Sequence, residues 1–365
     1  MIVQSQPSPD AIVFKGRSDF LKTIRARVDR RLVGRSPFGD GRLYGKALII
    51  GLWFVASYAL LLTIRVGWEQ LLVCISFGLA ACALGFNVFH DANHGSFSPS
   101  RRVNLAVSVV TCTALGASRY FWWYKHQVLH HRFPNIFRWD DDIETRGCLR
   151  LSARQPWRPR FKNQHRFFFL LYALGTLEWF FVKDFVQYFT RWVNSYQRTP
   201  TMSRGQKLEF WMCKGVYAAI FLAWPLAVMP AWRVLVGLLV FHVTLSLTLT
   251  FIFNLAHQVE KVDFPAPAGE SPTIADDWAA HQMRTTANFA TGNRLLNWFA
   301  GGLNFQIEHH LFPRISHTLY PDISGILRRT AREFDLPYHH YETYFATVQS
   351  HYRFLRELGR ETSPA

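Results

Sequence analysis

Eight of the fifteen histidines in this chain form four groups whose spacing is suited to binding metal ions. The groups are His90 and His94; His126, His130 and His131; His257 alone; and the adjacent pair His309 and His310. Because residues four apart lie on one face of a helix, His90 and His94 can direct their rings to one ion. His126 and His130 repeat that spacing, and we expect His131 to point at an angle, toward a neighbouring site.

Eight imidazoles are more than one metal ion can use. A structural zinc site takes about four ligands and often includes cysteine, but none of the five cysteines belongs to a histidine group. Two ions, each with about four nitrogen ligands and an open position, account for the number better. Imidazole binds iron, copper, zinc and nickel alike, so the element stays open. Beside an apolar interior, a redox-active pair would suit the oxidation of a lipid by dioxygen.

Four apolar segments must position these histidines, and each has roughly the twenty residues that ~30 Å of hydrocarbon requires. They run from about 46–64, 71–89, 210–229 and 234–253. Short turns join the first two segments and the last two, and the histidine groups lie beyond the other ends. The pattern predicts an all-α integral membrane protein with four transmembrane helices in two hairpins. Interfacial amphipathic helices and a cytoplasmic helical cap that carries the histidines complete it.

The distribution of basic residues predicts the orientation of these helices. The chain has 41 Lys and Arg against 25 Asp and Glu, yet each short turn carries a single basic residue, Arg65 or Arg233. By the positive-inside rule the opposite side is cytoplasmic, so we expect both termini and all the histidine groups there. No nucleic-acid-binding motif accompanies the net charge of +16. We therefore assign that charge to contact with membrane lipids and expect no nucleic-acid partner.

The sequence also predicts how the chain is divided into an N-terminal arm, a membrane domain and a C-terminal tail. Residues 1–44 are expected to form a basic cytoplasmic arm, 45–335 the membrane domain, and 336–365 a C-terminal tail. The first forty residues lack the compact apolar core of a signal peptide. The cysteines have no paired spacing and are expected to be small apolar residues in reduced surroundings.

Three segments are expected at the membrane interface. Residues 19–33 should form a basic amphipathic helix that lies on the membrane. The aromatic run 120–124 follows a segment too short to span, and it is either an interfacial belt or the lining of an acyl channel. Residues 167–189 contain Glu178, Lys183 and Asp184. Since charges at mid-membrane are costly, this segment is expected to be an amphipathic helix rather than a span.

The histidine motifs HxxxH, HxxxHH and QxxHH resemble those of the membrane-bound fatty acid desaturase superfamily. HDANHG begins at His90, HHRFPN at His130, and GGLNFQIEHHLFP at Gly301. The last motif resembles the linoleoyl-CoA or front-end branch, which has glutamine where other members have a histidine. That residue is Gln306 in this chain. The resemblance covers roughly residues 45–335.

This resemblance implies an oxygen-dependent desaturase with a non-haem di-iron centre. All eight histidines would be iron ligands, and dioxygen would be the co-substrate. Gln306 stands at a further ligand position, directly or through water, and Asn254 is similar to a water-bridging asparagine of acyl-CoA desaturases. Ligating histidines usually donate their free N–H to a carboxylate or carbonyl. We expect Asp91, Glu308 and Asp141 as such partners.

The sequence limits the acyl carrier and the electron donor to a few candidates without choosing among them. The acyl chain could be carried by CoA, acyl carrier protein or a glycerolipid. Because the sequence contains no His-Pro-Gly-Gly haem motif, a separate ferredoxin or cytochrome b5 is expected to supply two electrons. A hydroxylase or an acetylenase would carry the same motifs.

A membrane metal carrier or haem electron carrier is the alternative from another class. Such a carrier would place ionisable residues inside its spans, where this chain has little beyond His242. A membrane zinc protease is disfavoured, because the chain has no HExxH motif.

Overall fold

The computed structural model of this chain describes residues 12–64, 67–267 and 273–360. Its α-helices are α1 (Phe20–Arg31), α2 (Gly41–Thr63), α3 (Trp68–Leu84), α4 (His90–His94), α5 (Arg101–Leu115), α6 (Arg119–Trp123), α7 (Gln164–Glu178), α8 (Asp184–Thr190), α9 (Arg204–Ala218), α10 (Trp224–Val228), α11 (Ala231–His257), α12 (Trp278–Thr285), α13 (Arg294–Phe299), α14 (Gln306–Leu311), α15 (Tyr320–Glu333) and α16 (Tyr344–Leu358). The π-helices directly follow α3, α6, α7 and α9 and are Gly85–Phe89, Tyr124–His130, Trp179–Lys183 and Ala219–Ala223, and the 3-10 turns are Asp141–Ile143, Pro159–Phe161 and His317–Leu319. Two short parallel sheets pair β1 (Val13–Phe14) with β2 (Thr273–Ile274) and β3 (Ala287–Phe289) with β4 (His339–Tyr341).

Four helices in the described residues are long and apolar enough to cross a membrane, which confirms the four predicted segments. They are Gly41–Thr63, Trp68–His94, Arg204–Val228 and Ala231–His257. The second continues from α3 through a π-helix into α4, so the predicted span and its first histidines form one helix. In its most apolar stretch 67% of the residues are buried, against 22% in the first helix. The second helix is therefore the centre of the bundle.

The turns of the two helical hairpins lie at the same end of this bundle. Helix α3 packs closely on α11 at Gly78, because glycine has no side chain. A Cβ atom at this position would lie 2.9 Å from Thr244 Cβ. At the end opposite the histidines, Arg233 Nε donates a hydrogen bond to Gln70 Oε1 at 2.8 Å. The same guanidinium donates to the carbonyl oxygen of Ile64. Arg65, the other basic turn residue, lies outside the described residues.

Helix α1 forms where the sequence predicts it, but its apolar face is covered by protein. Phe20, Ile24 and Val28 are fully buried, and they pack in one cluster with residues of α15 such as Leu327. Both Nη atoms of Arg27 donate to Glu333 of α15, at 2.8 and 2.7 Å. The prediction that this face lies in the membrane is therefore wrong, because α15 occupies it.

The aromatic run 120–124 also lies inside the protein. The buried members are Tyr120, Phe121, Trp122 and Tyr124, whereas Trp123 is 38% exposed. The Trp122 ring packs against Phe89 of the second span, with ring centroids 4.9 Å apart. An interfacial belt would expose these rings to lipid headgroups, so that prediction is wrong.

The segment predicted at 167–189 belongs to one continuous helix, 164–190, which is not among the four apolar helices. It packs along α11, where Thr176 N donates to Ser246 Oγ at 2.9 Å. Its fully buried Asp184 pairs with Lys214 of α9 at 2.7 Å. Since a buried charge is tolerated only when it is paired, this contact explains the charge in an otherwise apolar helix.

The C-terminal segment packs into the body of the protein. Strand β4 pairs with β3, and α16 lies against α7 and α11. His351 of α16 is fully buried, and its Nδ1 donates to the carbonyl oxygen of Gln258 at 2.7 Å. This contact braces the end of α11 next to His257.

Candidate metal centre

The eight histidines converge at the end of the bundle opposite Arg233, and they form two clusters. The first cluster is His90, His94, His126 and His309, and the second cluster is His130, His257 and His310. In each cluster one ring nitrogen of every member lies within 4.8 Å of the others. His131 lies between the clusters, with its ring centroid 4.6 Å from that of His309 and 4.4 Å from that of His310. All eight rings are buried.

The first two histidines share a face, as their spacing predicts. Helix α4 carries His90 and His94 one turn apart, and their ring centroids are 4.6 Å apart. The π-helix before α4 widens the helix immediately ahead of the site, which is where such turns often occur in functional helices.

A second π-helix, Tyr124–His130, changes how the next three histidines are shared. Its hydrogen bonds join residues five apart, as His131 N donates to His126 O at 2.9 Å. His126 and His131 therefore face the same way, with their Nε2 atoms 3.2 Å apart. His130 turns to the second cluster, where its ring centroid is 4.6 Å from that of His257. One ligand atom of each of His126 and His130 also lies within 4.8 Å of the other and of an oxygen of Asp142, so the prediction that these two histidines serve one ion stays a prediction.

A two-glycine turn places the last pair of histidines. Gly301 has a φ of +58°, and a side chain on it would meet the carbonyl oxygen of Phe86 at 2.6 Å. This close approach fixes the start of α14 against the π-helix that precedes His90. Adjacent residues on an α-helix point about 100° apart, so His309 joins the first cluster and His310 the second.

The geometry of the first cluster fits a metal cation. The Nε2 atom of His126 lies 3.2 Å from that of His90 and 3.1 Å from that of His94. One ring nitrogen cannot satisfy several others by hydrogen bonding, because it either donates one proton or accepts. Nitrogen ligands at about 2.0–2.1 Å from an ion would themselves be separated by about 2.9–3.4 Å. The observed separations fall in that range.

Atoms without partners support the same conclusion for both clusters. Among the described residues, Nε2 of His309, Nε2 of His310 and Oε1 of Gln306 are buried with no hydrogen-bond partner. Buried polar atoms are normally paired. A cation held between these rings would provide the missing interactions.

The electrostatics keep most of the rings neutral. Burial, and then the neighbouring histidines, hold the pKa values of His126, His131 and His309 well below the usual range. His310 behaves in the same way. A neutral imidazole is the form that binds metal. Burial also lowers the pKa of His130, but Asp140 and Asp142 outweigh it and the net pKa is raised.

The outer ring nitrogens are held by contacts that orient the inner ones. Nδ1 of His130 lies 3.1 Å from Asp140, Nδ1 of His257 lies 3.1 Å from the Thr285 carbonyl oxygen, Nδ1 of His309 lies 3.2 Å from the Tyr320 hydroxyl, and Nδ1 of His310 lies 2.7 Å from Gln282 Oε1. Such contacts fix the tautomer and direction of a ligating ring. The donor set is therefore already oriented toward the two centres.

Comparison of the sequence with known proteins supports a metal centre at this site. A sequence model of the family described as Fatty acid desaturase matches residues 67–342. The chain belongs to the fatty acid desaturase family. It is therefore an oxidoreductase of that family, and its four apolar helices make it a multi-pass membrane protein. The paired histidine clusters are consistent with the metal site of these desaturases.

Three relatives cover nearly the whole chain. The sn-1 linoleoyl-lipid 6-desaturase of Synechocystis sp. is 34% identical over 96% of this chain and 98% of its own length. The enzyme of the same name from Arthrospira platensis is 33% identical, over 95% of each chain. An acyl-lipid (8-3)-desaturase of Mortierella alpina is 32% identical over 95% of this chain and 79% of its own.

The predicted carboxylate partners occupy three different environments in this desaturase. Asp91 Oδ2 accepts a hydrogen bond from Nδ1 of His317 at 2.8 Å, and its other oxygen is 3.9 Å from Nδ1 of His90. Glu308 accepts from Tyr338 and Asn288, and so braces the segment from α12 to α16, here called the cap, rather than a ring.

The third predicted carboxylate is replaced by its neighbour. Asp141 Oδ2 pairs with Lys183 at 2.8 Å, while Asp140 contacts His130. Asp140 is the N-cap of the 3-10 turn that Asp141 begins, and the two carboxylates have different partners. The role expected of Asp141 therefore falls to Asp140.

The two predicted amides also separate. Gln306 Nε2 lies 3.1 Å from Nε2 of His257, which places Gln306 in the second cluster. The side chain of Asn254 lies beside the hydroxyl of Tyr172 on α7. The structure therefore supports Gln306 as a member of the site and directs Asn254 toward a neighbouring helix.

Two side chains beside the first cluster were not assigned to the metal site by the sequence, although the run 120–124 was considered as the lining of an acyl channel. The Trp122 ring lies 4.4 Å from that of His126, and its position one turn before His126 was an available signal. His317 reaches Asp91 from a 3-10 turn of the cap. Its Nε2 is 3.1 Å from Nζ of Lys46 in the first span. No spacing links His317 to the motifs, since only the folded cap brings it there.

Proposed function

We propose that this chain is an acyl-lipid desaturase that introduces a double bond into an acyl chain of a membrane glycerolipid. The observation that carries the proposal is the pair of buried histidine clusters with His131 between them. The relatives are named as acyl-lipid desaturases, and two of them as linoleoyl-lipid 6-desaturases. By that likeness, the new double bond lies on the carboxyl side of an existing one.

We assign two iron ions to the clusters. The first cluster with His131 would hold one ion, and the second cluster with Gln306 would hold the other. When bound, the iron pair supplies the oxidising power: two hydrogens leave neighbouring methylenes, and one dioxygen, two electrons and two protons complete the formation of two waters. The protein holds the ring nitrogens in place, keeps most of the histidines neutral, and excludes water with buried side chains such as Trp122.

The alternative functions are distinguished by family membership and by the reaction product. Membership in an enzyme family removes the metal carrier and the haem electron carrier. A hydroxylase or acetylenase would use the same histidines, so the product distinguishes these reactions. The electron donor is proposed to be a separate ferredoxin or cytochrome b5.

The decisive experiment offers the purified, iron-loaded protein matched linoleoyl substrates with a reductant and donor. Linoleoyl glycerolipid, linoleoyl-CoA and linoleoyl-acyl carrier protein are compared, and the products are identified by gas chromatography and mass spectrometry. We expect an additional double bond in the glycerolipid chain alone. A dominant hydroxylated or triple-bonded product, or activity confined to either of the other carriers, would contradict the proposal.

We also propose that both termini and the histidine clusters face the cytoplasm, as the basic residues indicate. Cys148 is exposed and the other four cysteines are buried, so one site reports the orientation. A membrane-impermeant thiol reagent should label Cys148 in opened membranes and not in intact cells. Labelling in intact cells would reverse the assignment.

A further inference from the structure

A groove of about 640 Å³ opens between the membrane spans and the cap. Its walls include Trp53 of α2, Leu79 of α3, Ile252 of α11, Leu296 and Phe299 of α13, and Tyr344 of α16. Three of these helices are spans, so the groove opens where the hydrocarbon of a bilayer would lie. Its size falls within the range of ligand pockets, about 300–1,000 Å³.

The inner wall of the groove approaches the first cluster through aromatic rings alone. The ring of Phe299 lies 6.1 Å from that of Phe86, and Phe86 lies 5.8 Å from Phe253. Phe253 in turn lies 6.4 Å from the ring of His126. These three rings make an apolar wall between the groove and His126.

The mouth of the groove presents an exposed apolar surface, beside which Lys46 is buried with its Nζ 3.1 Å from Nε2 of His317. On the short helix α13, Leu295 is 77% exposed and Trp298 is 37% exposed. Nζ of Lys46 lies 5.5 Å from the Trp298 ring centroid. An exposed apolar rim beside an apolar slot suits a molecule with a hydrocarbon tail.

A second crevice in the same bundle differs from the groove in its volume and in its distance from the histidines. It is lined by Tyr58, Phe221 and Leu238 and holds only about 40 Å³. It also includes Arg233, which lies at the end of the bundle away from the histidines. This crevice is too small for an acyl chain and provides a control.

We propose that the groove admits an acyl chain of a membrane glycerolipid sideways from the bilayer, with Phe86, Phe253 and Phe299 forming the wall that the chain passes to reach the histidines. The inference rests on the proposed function, since it names the entrance for the same substrate. It makes Leu296, on the cap side of the groove, a residue whose size controls access.

The test attaches a bulky group after folding, so that misfolding cannot imitate the effect. In a Cys148→Ser background, in which the remaining cysteines are buried, Leu296→Cys is purified with iron and then treated with a bulky lipophilic maleimide. We expect the unmodified variant to desaturate glycerolipid, and the modified variant to lose at least about tenfold in rate. Iron content should not change. Tyr344→Cys, on another wall of the groove, repeats the test if Leu296→Cys fails to fold.

Leu238→Cys, modified in the same way, is the matched control because Leu238 is also half-buried and lines the other crevice. Its activity should be retained. No loss at the groove positions, or equal loss at Leu238, would overturn the groove as the entrance. An unmodified background that fails to act on glycerolipid would instead refute the proposed function, and the groove proposal with it.

Discussion

The two histidine clusters lie side by side but are organised differently. In the first cluster the rings support one another, since Nε2 of His126 lies within 3.2 Å of the same atom of His90, His94 and His131. In the second cluster three rings are joined by Gln306, and His130 is held by Asp140 and Asp142. The first centre thus depends mainly on its own ligands. The second depends more on the groups around it.

Because of this difference, two ions bound in the two clusters would not be equivalent. In the first cluster burial lowers the pKa values of His126 and His309, and Trp122 forms an aromatic wall beside them. The second has carboxylates that raise the pKa of His130 against the effect of its burial. Because carboxylate contacts increase the basicity of a ligating ring, the second ion is expected to be the more electron-rich of the two.

The largest effect is expected from His126→Ala, which removes the ring at the centre of the first cluster. We expect desaturation to fall by more than about a hundredfold, with loss of about one iron per chain. Product analysis and metal analysis measure the two effects. His340→Ala is the control, because His340 contacts Thr291 and Glu342 outside both clusters. Retention of both ions in His126→Ala would contradict the central position of this ring.

The next effect tests the dependence of the second cluster on its surroundings. Asp140→Asn should weaken iron binding by about 10–100-fold, because the amide no longer fixes the charge and direction of His130. Asp141→Asn is the matched control, since Asp141 pairs with Lys183. Iron titration of both variants measures the difference. Equal losses would show that the carboxylates act as a group rather than through the contact of Asp140.

A smaller effect is expected from Gln306→Ala, which removes the amide beside His257. Iron affinity of the second cluster should fall by about tenfold, while the first ion is retained. Gln306→His should restore binding, because it makes the donor set of the second cluster more like that of the first. If Gln306→Ala leaves iron binding unchanged, Gln306 is not a member of the site.

The smallest effect is expected from His317→Ala, because His317 reaches the first cluster only through Asp91. Activity should fall by less than about tenfold with iron retained, since the other rings still hold the ion. His317→Asn retains a donor toward Asp91 and should recover part of the rate. Loss of iron as complete as in His126→Ala would show that the first cluster depends on its surroundings as much as the second.

Much of the framework was predictable because it depends on local patterns. Each apolar segment is long enough to span by itself, and the spacing of His90 and His94 places them on one helical face. The facing of His126 and His131 was not predictable, because a π-helix is indistinguishable from an α-helix in the residue pattern. The membrane placement of α1 failed because an amphipathic face does not reveal whether lipid or α15 will cover it.

The sequence by itself determined that eight histidines and four apolar helices belong to this protein, because residue type and period carry that information. Tertiary structure alone decided which ring joins which cluster, that Asp140 rather than Asp141 supports His130, and that His317 reaches Asp91. These contacts join residues distant in the chain, or depend on one turn of backbone geometry. They arise only when the cap packs on the ends of the spans.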